Sequence, residues 1–373
     1  MLSSRLEDVS WVDSFDLPSI FDHRLALYKE WHDFVFFDRD ANLFGLLNFA
    51  IHGNPYDSRR GYGAALAFLV APSGKIHTAL KLIPLSGLTI SPYSPDFVSG
   101  DVAVVYEGNG SFDIKGKIEG VSLDLNLPVV EAPVTMNQIG SDILSRNRIT
   151  LGMLGAANEM AKIWDKWVEL PKLGVVGSIG IGGTSYSIDT TTGYQDHEGG
   201  RFDWGSVMGW DTGVLLCDPA NKGEPGKVSF LFYRYGASGE SQYGGVIVRA
   251  PGGREKYFES GMVKVTRSGA YSGERAYLPG VTRLLYPDYK PRIPKTMAFS
   301  GSEGPDKVDI LFTPRAVCTI VVAGTQEAET TFNEMYCTAE FSATVGGEKF
   351  YGTIPCWFES VRPRGRRLNE EWP

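Results

Sequence analysis

The densest run of ionisable side chains lies in residues 193–200, which read GYQDHEGG. If this stretch is extended, alternation places Tyr194, Asp196 and Glu198 on one face of a strand and His197 on the other face. A carboxyl in apolar surroundings keeps its proton and can act as a general acid. We therefore predict that Asp196 is a general acid and that Tyr194 orients it or relays its proton. His197 or Glu198 would then set the protonation state of Asp196. The alternative is an exposed acidic turn before a strand.

Other motifs that carry chemistry are missing from the sequence. The glycine-rich residues 177–183 look like a nucleotide-binding loop, but Ser185 stands where the last glycine of GxGxxG should be. Neither GxxxxGK[ST] nor GxSxG occurs. We therefore expect neither cofactor-dependent redox chemistry nor phosphoryl transfer, and we predict no cofactor. No two histidines have the spacing of a local metal motif, so we predict no metal, although a site assembled from distant positions is left open. The histidines are His23, His32, His52, His77 and His197.

The composition is that of a large, turn-rich folded protein. The 373 residues include 44 glycines and 21 prolines, and 43% hydrophobic residues can form a large core, which excludes intrinsic disorder. The formal net charge is −8 and the sequence pI is about 5.3. This balance argues against nucleic acid as a partner, because phosphate binding depends on Lys and Arg.

The cysteines and the N-terminal residues bear on the cellular compartment. Cys217, Cys318, Cys337 and Cys356 form no CxxC pair, which predicts buried thiols in a reducing compartment. The first thirty residues lack the basic and apolar regions of a secretory signal. No apolar stretch approaches the ~20 residues of a membrane-spanning helix. We therefore expect a cytoplasmic protein.

Short apolar segments separated by turn residues predict strands along most of the chain, for example at residues 62–70, 111–118 and 121–127. Residues 138–168 differ, because apolar side chains recur there at helical intervals without a proline. This pattern predicts one long helix or two short ones. The helix either covers the core or acts as a lid beside a lipophilic pocket, where it would make transient contact with a membrane surface.

Three stretches resemble motifs of a known family. They are the central block GYQDH at 193–197 with DWG at 203–205, KEWH at 29–32, and YGTIPCWFE at 351–359. All three are similar to motifs of the carotenoid 1,2-hydratases (hydroxyneurosporene synthases) and of the related AttH-like proteins. The resemblance implies a mainly β fold of two consecutive lipocalin-like antiparallel domains, each a barrel or a sandwich. We expect these domains at residues 1–136 and 173–373, with a helical insertion at residues 137–172.

The resemblance also implies roles for individual residues. The Tyr and Asp that the family assigns to acid chemistry match Tyr194 and Asp196. The sequence departs from the family pattern at His32 and at residues 198–200. We expect the substrate to contact three tryptophans, whose ring faces can stabilise positive charge, and the glutamate of the closing motif. These four residues are Trp31, Trp204, Trp210 and Glu359.

These observations predict a cofactor-independent acid–base enzyme that protonates an alkene of a hydrophobic polyene or isoprenoid. Cyclisation or hydration would follow, so the enzyme would be an isomerase or a lyase of terpenoid biosynthesis. One alternative is a cyclase that directs a pericyclic, Diels–Alder-like reaction by shape, in which Asp196 only binds a carbonyl. The other is a lipophile-binding protein without catalysis. The sequence leaves the substrate and the oligomeric state open.

Overall fold

The computed structural model describes residues 13–108, 110–135, 164–204, 209–218, 220–235, 241–278, 292–323 and 329–364. The chain divides into two compact units, and most of residues 1–202 form the first while residues 203–373 belong to the second. In both units the described residues are almost entirely antiparallel strands, with short 3-10 turns at Leu25–Leu27, Leu85–Gly87 and Ser260–Met262. The expected mainly β, two-domain lipocalin-like fold is confirmed.

The first unit is a single sheet that curls into a nearly closed barrel. Its strand order is β4-β3-β2-β1-β12-β11-β9-β8-β7-β6-β5, and β10 pairs with β11. The strands are β1 (Tyr28–Asp38), β2 (Leu43–Gly53), β3 (Gly61–Val70), β4 (Ile76–Pro84), β5 (Leu88–Ser91), β6 (Ser94–Ser99), β7 (Val102–Tyr106), β8 (Ser111–Ile118), β9 (Val121–Pro128), β10 (Val134–Thr135), β11 (Trp164–Ile181) and β12 (Thr184–Arg201).

The second unit repeats this arrangement with its own sheet. The order is β16-β15-β14-β13-β22-β21-β20-β19-β17, and β18 pairs with β20. From β16 to β19 it matches the first sheet from β4 to β8, after which β17 stands where the first sheet has β7, β6 and β5. The strands are β13 (Trp210–Leu215), β14 (Lys227–Tyr235), β15 (Ser241–Arg249), β16 (Glu255–Glu259), β17 (Val263–Ser268), β18 (Arg275–Leu278), β19 (Thr296–Glu303), β20 (Asp306–Ala323), β21 (Glu329–Val345) and β22 (Glu348–Arg364).

Each barrel encloses an aromatic-rich core, because alternate residues of each strand point inward. In the first unit Phe34, Phe49 and Phe112 pack edge to face. In the second unit Phe230, Phe299 and Phe312 form a similar cluster. The four cysteines are buried thiols, as predicted, and burial raises the pKa of the Cys318 and Cys356 thiols well above its usual value.

The structure corrects the predicted helical insertion and the domain boundary. Residues 164–172 are not helical but belong to β11, and Leu170 and Leu173 of this strand enter the first core. Residues 136–163, which hold the rest of the predicted helix, lie outside the described residues. The units divide at Phe202, not at residue 172, because β12 pairs with β1 from Tyr28↔Arg201 to Val35↔Tyr194. Sequence periodicity does not reveal such a distant pairing.

Candidate acid–base site

A row of four polar residues crosses the outer face of the first barrel. Asn48 on β2 lies opposite Asp33 on β1, Asp33 lies opposite Asp196 on β12, and Asp196 lies opposite Glu169 on β11. Directly opposed residues of antiparallel strands point to the same side, with Cβ atoms about 4.5–5.5 Å apart. Asp33 is 5% exposed and Asp196 is 2% exposed. The fold thus sets two buried carboxyls against each other on neighbouring strands.

The two aspartates of this row have different hydrogen-bond partners. The Asn48 amide Nδ2 donates to Asp33 Oδ1 at 2.9 Å, and the Trp167 indole Nε1 donates to Asp196 Oδ1 at 2.7 Å. Burial raises the pKa of Asp33 to about 7, against the opposing effect of hydrogen bonds from Asn48 and Trp31. Near neutral pH, Asp33 therefore holds a proton for a large part of the time, as a general acid must.

Aromatic and acidic side chains flank this row on the same face. Trp31 and Trp167 lie on either side of Glu198, each in register with it. Tyr194 is buried and hydrogen-bonds Glu169, and burial together with the nearby carboxylates raises its pKa well above the usual value. Tyr194 therefore stays protonated at physiological pH. The predicted residues Trp31, Tyr194, Asp196 and Glu198 do share one face.

His197 lies on the opposite face of β12, inside the barrel. Its Nδ1 is 2.9 Å from Asp13 Oδ1 and its Nε2 is 2.7 Å from Glu30 Oε1. Two carboxylates on one imidazole favour the doubly protonated ring, and they raise the pKa of His197 despite the opposing effect of burial. The sequence predicts that His197 or Glu198 sets the protonation state of Asp196. Strand alternation places His197 on the face opposite to Asp196 and Glu198 on the same face as Asp196.

Further groups complete the inner cluster. Glu30 also accepts hydrogen bonds from the Tyr28 hydroxyl at 2.5 Å and from the Asp16 backbone N–H at 2.9 Å. Glycine at position 199 leaves room for this glutamate, since a Cβ there would lie 2.9 Å from Glu30 Cγ. The His32 ring stacks on His197 with centroids 3.6 Å apart. Burial and the nearby cations lower the pKa of His32 well below its usual value, so this imidazole is neutral.

One set of donor atoms has the composition of a metal site. One ligand atom each from Asp13, His32 and His197 lies within 4.8 Å of the other two. These residues are far apart in sequence, which is the arrangement that local spacing cannot reveal. In this structure they are joined by hydrogen bonds, because Gln195 Nε2 lies 3.0 Å from His32 Nδ1 and 3.2 Å from Asp13 Oδ1.

The other three predicted site residues lie in the second unit, where they share one cluster. The Trp210 indole Nε1 donates to Glu359 Oε1 at 2.5 Å. The rings of Trp204 and Trp210 both meet Phe332 edge to face, with centroids 4.8 and 6.0 Å away. Trp204, Trp210 and Glu359 thus belong together, and they belong to a different unit from Asp196.

Sequence reasoning missed Asp33, Asn48, Trp167 and Glu169. Asp33 carried a usable signal, because it directly precedes the apolar, mostly aromatic residues 34–37. Trp167 and Glu169 were hidden by their assignment to a helix or its end, which obscured their alternation along a strand.

Solved structures share this fold over nearly the whole chain. An AttH-like protein from Nitrosomonas europaea aligns with a TM-score of 0.60 and 14% identity, over 93% of this chain and 96% of the other. Kievitone hydratase from Nectria haematococca aligns with a TM-score of 0.55 and 12% identity, over 95% and 97%. The protein CghA aligns with a TM-score of 0.56 and 9% identity, over 90% and 88%. The chain therefore has the fold of AttH-like proteins and of a hydratase.

Comparison of the sequence with protein-family models finds no match, and comparison with curated proteins finds none either. Among the described residues no helix is both long and apolar enough to cross a membrane.

Proposed function

We propose that the protein is a cofactor-independent acid–base enzyme that protonates an alkene of a hydrophobic polyene or isoprenoid and so starts its cyclisation or hydration. The observation that carries the proposal is the opposed pair Asp33 and Asp196, in which burial raises the pKa of Asp33 to about 7. When the surroundings of two neighbouring carboxyls give them different pKa values, the carboxyl that keeps its proton can act as the acid and the other can act as the base. A hydratase with the same fold supports this chemistry.

Our proposal changes the role of Asp196 from the general acid that the sequence predicts to the base. We assign Asp33 as the proton donor, because its carboxyl is the one that burial keeps protonated near neutral pH. The indole N–H of Trp167 donates to Asp196 Oδ1 at 2.7 Å. We assign Asp196, which faces the proton donor, as the base, and Tyr194 holds Glu169 in the same row.

The proton and electron movements follow from these roles. The alkene π electrons form a new C–H bond with the Asp33 proton, which leaves a carboxylate on Asp33 and a cation on the neighbouring carbon. In hydration, water adds to the cation and the extra proton of the oxonium passes to a carboxylate of the pair. In cyclisation, a second alkene of the same substrate attacks the cation, and the final carbon-bound proton passes to that carboxylate. The ring faces of Trp31 and Trp167 can stabilise such a cation by roughly 0.5–2 kcal/mol each.

The experiment is incubation of the purified protein with a panel of polyenes and isoprenoids in heavy water, followed by mass spectrometry. We expect product with carbon-bound deuterium from the wild-type chain and from Asp40→Asn, which changes an exposed carboxylate. Asp33→Asn should give none. Rearranged product without deuterium would instead support the shape-directed pericyclic cyclase. Binding without conversion would support the lipophile-binding protein.

A further inference from the structure

The inside of the first barrel holds a short piece of the N-terminal chain as if it were a ligand. Asp13 and Phe15 are buried, and Phe15 belongs to the barrel core. The backbone between them is bound as well, since the Lys166 ammonium donates to the Ser14 carbonyl. The Asp16 N–H donates to Glu30. We call residues 13–16 the inserted segment.

The carboxylate of Asp13 is received by side chains that belong to the barrel wall. His197 Nδ1 lies 2.9 Å from one oxygen, and Gln195 Nε2 lies 3.2 and 3.3 Å from the two oxygens. His32 Nδ1 lies 3.7 Å from Oδ2. These three residues, which we call the cradle, come from the adjacent strands β1 and β12. Glu30 holds His197 from its other nitrogen, so the cradle presents a cation that is already oriented.

The cradle has more hydrogen-bonding capacity than Asp13 uses. His32 Nε2 and Gln195 Oε1 are both buried without a hydrogen-bond partner among the described residues. Buried polar atoms without partners are destabilising, so they are uncommon unless another group meets them. A donor and an acceptor left over beside a carboxylate indicate a site built for a larger polar group than one aspartate.

The inserted segment also indicates what kind of molecule would fit. The Phe15 ring meets the rings of His32 and His197 edge to face, with centroids 5.0 and 5.8 Å away. Deeper in the barrel the wall is aromatic, and Phe34 stacks on His32 with centroids 6.2 Å apart. Asp13 and Phe15 together present a carboxylate beside an apolar ring, which is the chemistry of a lipophilic carboxylic acid.

We propose that the cradle of His32, Gln195 and His197 is a binding site for a lipophilic carboxylic acid, and that Asp13 and Phe15 occupy it as an internal ligand. An external acid would compete with the inserted segment for the same wall. The site lies on the opposite face of β1 and β12 from Asp33 and Asp196, so it does not depend on the proposed alkene chemistry.

The experiment removes the internal carboxylate and supplies an external one. In Asp13→Gly, the thermal midpoint should fall by about 5–15 °C, because the charged cradle loses its partner. At constant ionic strength, acetate should restore much of this loss, and the neutral isostere acetamide should not. The wild-type chain and Asp40→Gly, which removes an exposed carboxylate, should not respond to either compound. An Asp13→Gly chain that responds equally to acetate and acetamide, or to neither, overturns the proposal.

Two further variants keep the test decisive. If Asp13→Gly does not fold alone, refolding with acetate and with acetamide replaces the thermal scan. Recovery with acetate only supports the site, and failure with both contradicts it.

Addition of His197→Gln to Asp13→Gly should abolish the acetate response. In Asp13→Gly with Phe15→Gly, calorimetry should show phenylacetate binding at least about tenfold tighter than acetate, which corresponds to burial of its ring. Equal affinities would overturn the assignment of a lipophilic acid.

Discussion

The two units place equivalent strands in equivalent order, yet their outer faces carry different acids. In the first unit the central row reads Asn48, Asp33, Asp196 and Glu169. In the second unit the corresponding row reads Leu231, Thr212, Glu359 and Glu334. Two positions of the row are acidic in both units. The third carboxyl, Asp33, and its amide partner occur in this row only in the first unit, which is why we assign the proposed proton donor to that unit.

The shared part of the two rows is a scaffold of acids held by aromatic donors. The Tyr194 hydroxyl bonds Glu169 in the first unit, and at the equivalent position the Trp357 indole donates to Glu334 at 2.8 Å. Trp31 and Trp210 also occupy equivalent positions, two residues before Asp33 and Thr212. Because both units keep this scaffold, it is a property of the repeated fold. Substitution of an acid for Thr212 would be needed to give the second unit the same reacting pair.

The inner faces differ as well. His32 and His197 of the first unit correspond in register to Asp211 and Ser360 of the second. Arg362 donates to both oxygens of Asp211, at 2.7 and 2.8 Å. In the second unit the carboxylate on the inner face, Asp211, is therefore neutralised by Arg362 of strand β22. In the first unit the strands provide the histidines, and the carboxylate comes from Asp13 of the inserted segment.

The largest expected difference between the two units is in turnover, and it is tested by substitutions at the equivalent positions 33 and 212. Asp33→Asn removes the donated proton, and we expect a loss of turnover of about 10²–10⁴-fold, the range of general acid catalysis. Thr212→Val at the equivalent position should change turnover by less than about threefold, because no proton transfer is assigned there. Rates of deuterium incorporation into product measure both. Comparable losses in the two variants would remove the distinction between the units.

The next largest expected difference between the units is in stability, and it comes from the inner cluster around His197. His197→Gln leaves Asp13 and Glu30 without their shared cation, so we expect a loss of about 3–5 kcal/mol in the free energy of unfolding. Ser360→Ala at the equivalent position removes a buried hydroxyl oxygen that has no partner among the described residues, and should cost less than about 1 kcal/mol. Urea denaturation measures both variants. A small loss for His197→Gln would show that its two carboxylates are satisfied by other groups.

The protonation of Asp33 makes stability depend on pH in a definite direction. Its pKa in the folded chain is about 7, well above the ordinary value of 3.8, so between these values the folded state binds a proton that the unfolded state releases. Stability from this group is complete below the ordinary pKa and is lost as pH rises through the folded value. Asp33→Asn should therefore stabilise the protein at about pH 8, by roughly 2–4 kcal/mol, and have little effect at about pH 4. Denaturation of both proteins at the two pH values tests this.

His197 contributes a dependence of the same direction. Its pKa is raised by Asp13 and Glu30, so the stability it provides is complete below its ordinary pKa and is lost as pH rises through the folded value. Lys166, Tyr28 and His32 face the same cluster. Measurement of stability against pH for Asp33→Asn and for wild type separates the contributions of Asp33 and His197. The pH dependence that remains in Asp33→Asn includes that of His197, because the substitution removes only the contribution of Asp33.

The smallest expected difference concerns the indole donors. Trp167→Phe removes the indole hydrogen bond to Asp196 of the first unit, and Trp357→Phe removes the indole hydrogen bond to Glu334, the second-unit counterpart of Glu169. Each variant should lose about 1–3 kcal/mol of stability, because a buried carboxylate loses a donor. Only Trp167→Phe should also lower turnover, by about tenfold, as its carboxylate is the assigned base. An equal loss of turnover in both variants would place the two carboxylates in the same role.

Much of the local structure follows from the sequence. Alternation along residues 194–198 correctly predicted a strand with Tyr194, Asp196 and Glu198 on one face and His197 on the other. Hydrophobic spacing failed at residues 164–168, where the spacing of Trp164 and Trp167 fits a helix as well as a strand. The catalytic role of Asp196 and the substrate contacts of Trp31, Trp204, Trp210 and Glu359 stay predictions.

The fold class could be predicted from the sequence. So could the side of the strand to which each residue of the central block points, because side-chain alternation is a local property of the extended backbone. Which residues meet depends instead on how the strands pair. Asp33 faces Asp196 across 163 positions of chain because β1 and β12 pair in one register, and a shift of one residue would place Asp33 opposite a residue of the other face. The pKa of Asp33 and the meeting of Asp13 with His197 depend on that pairing, since both arise from burial and from neighbours that are distant in sequence.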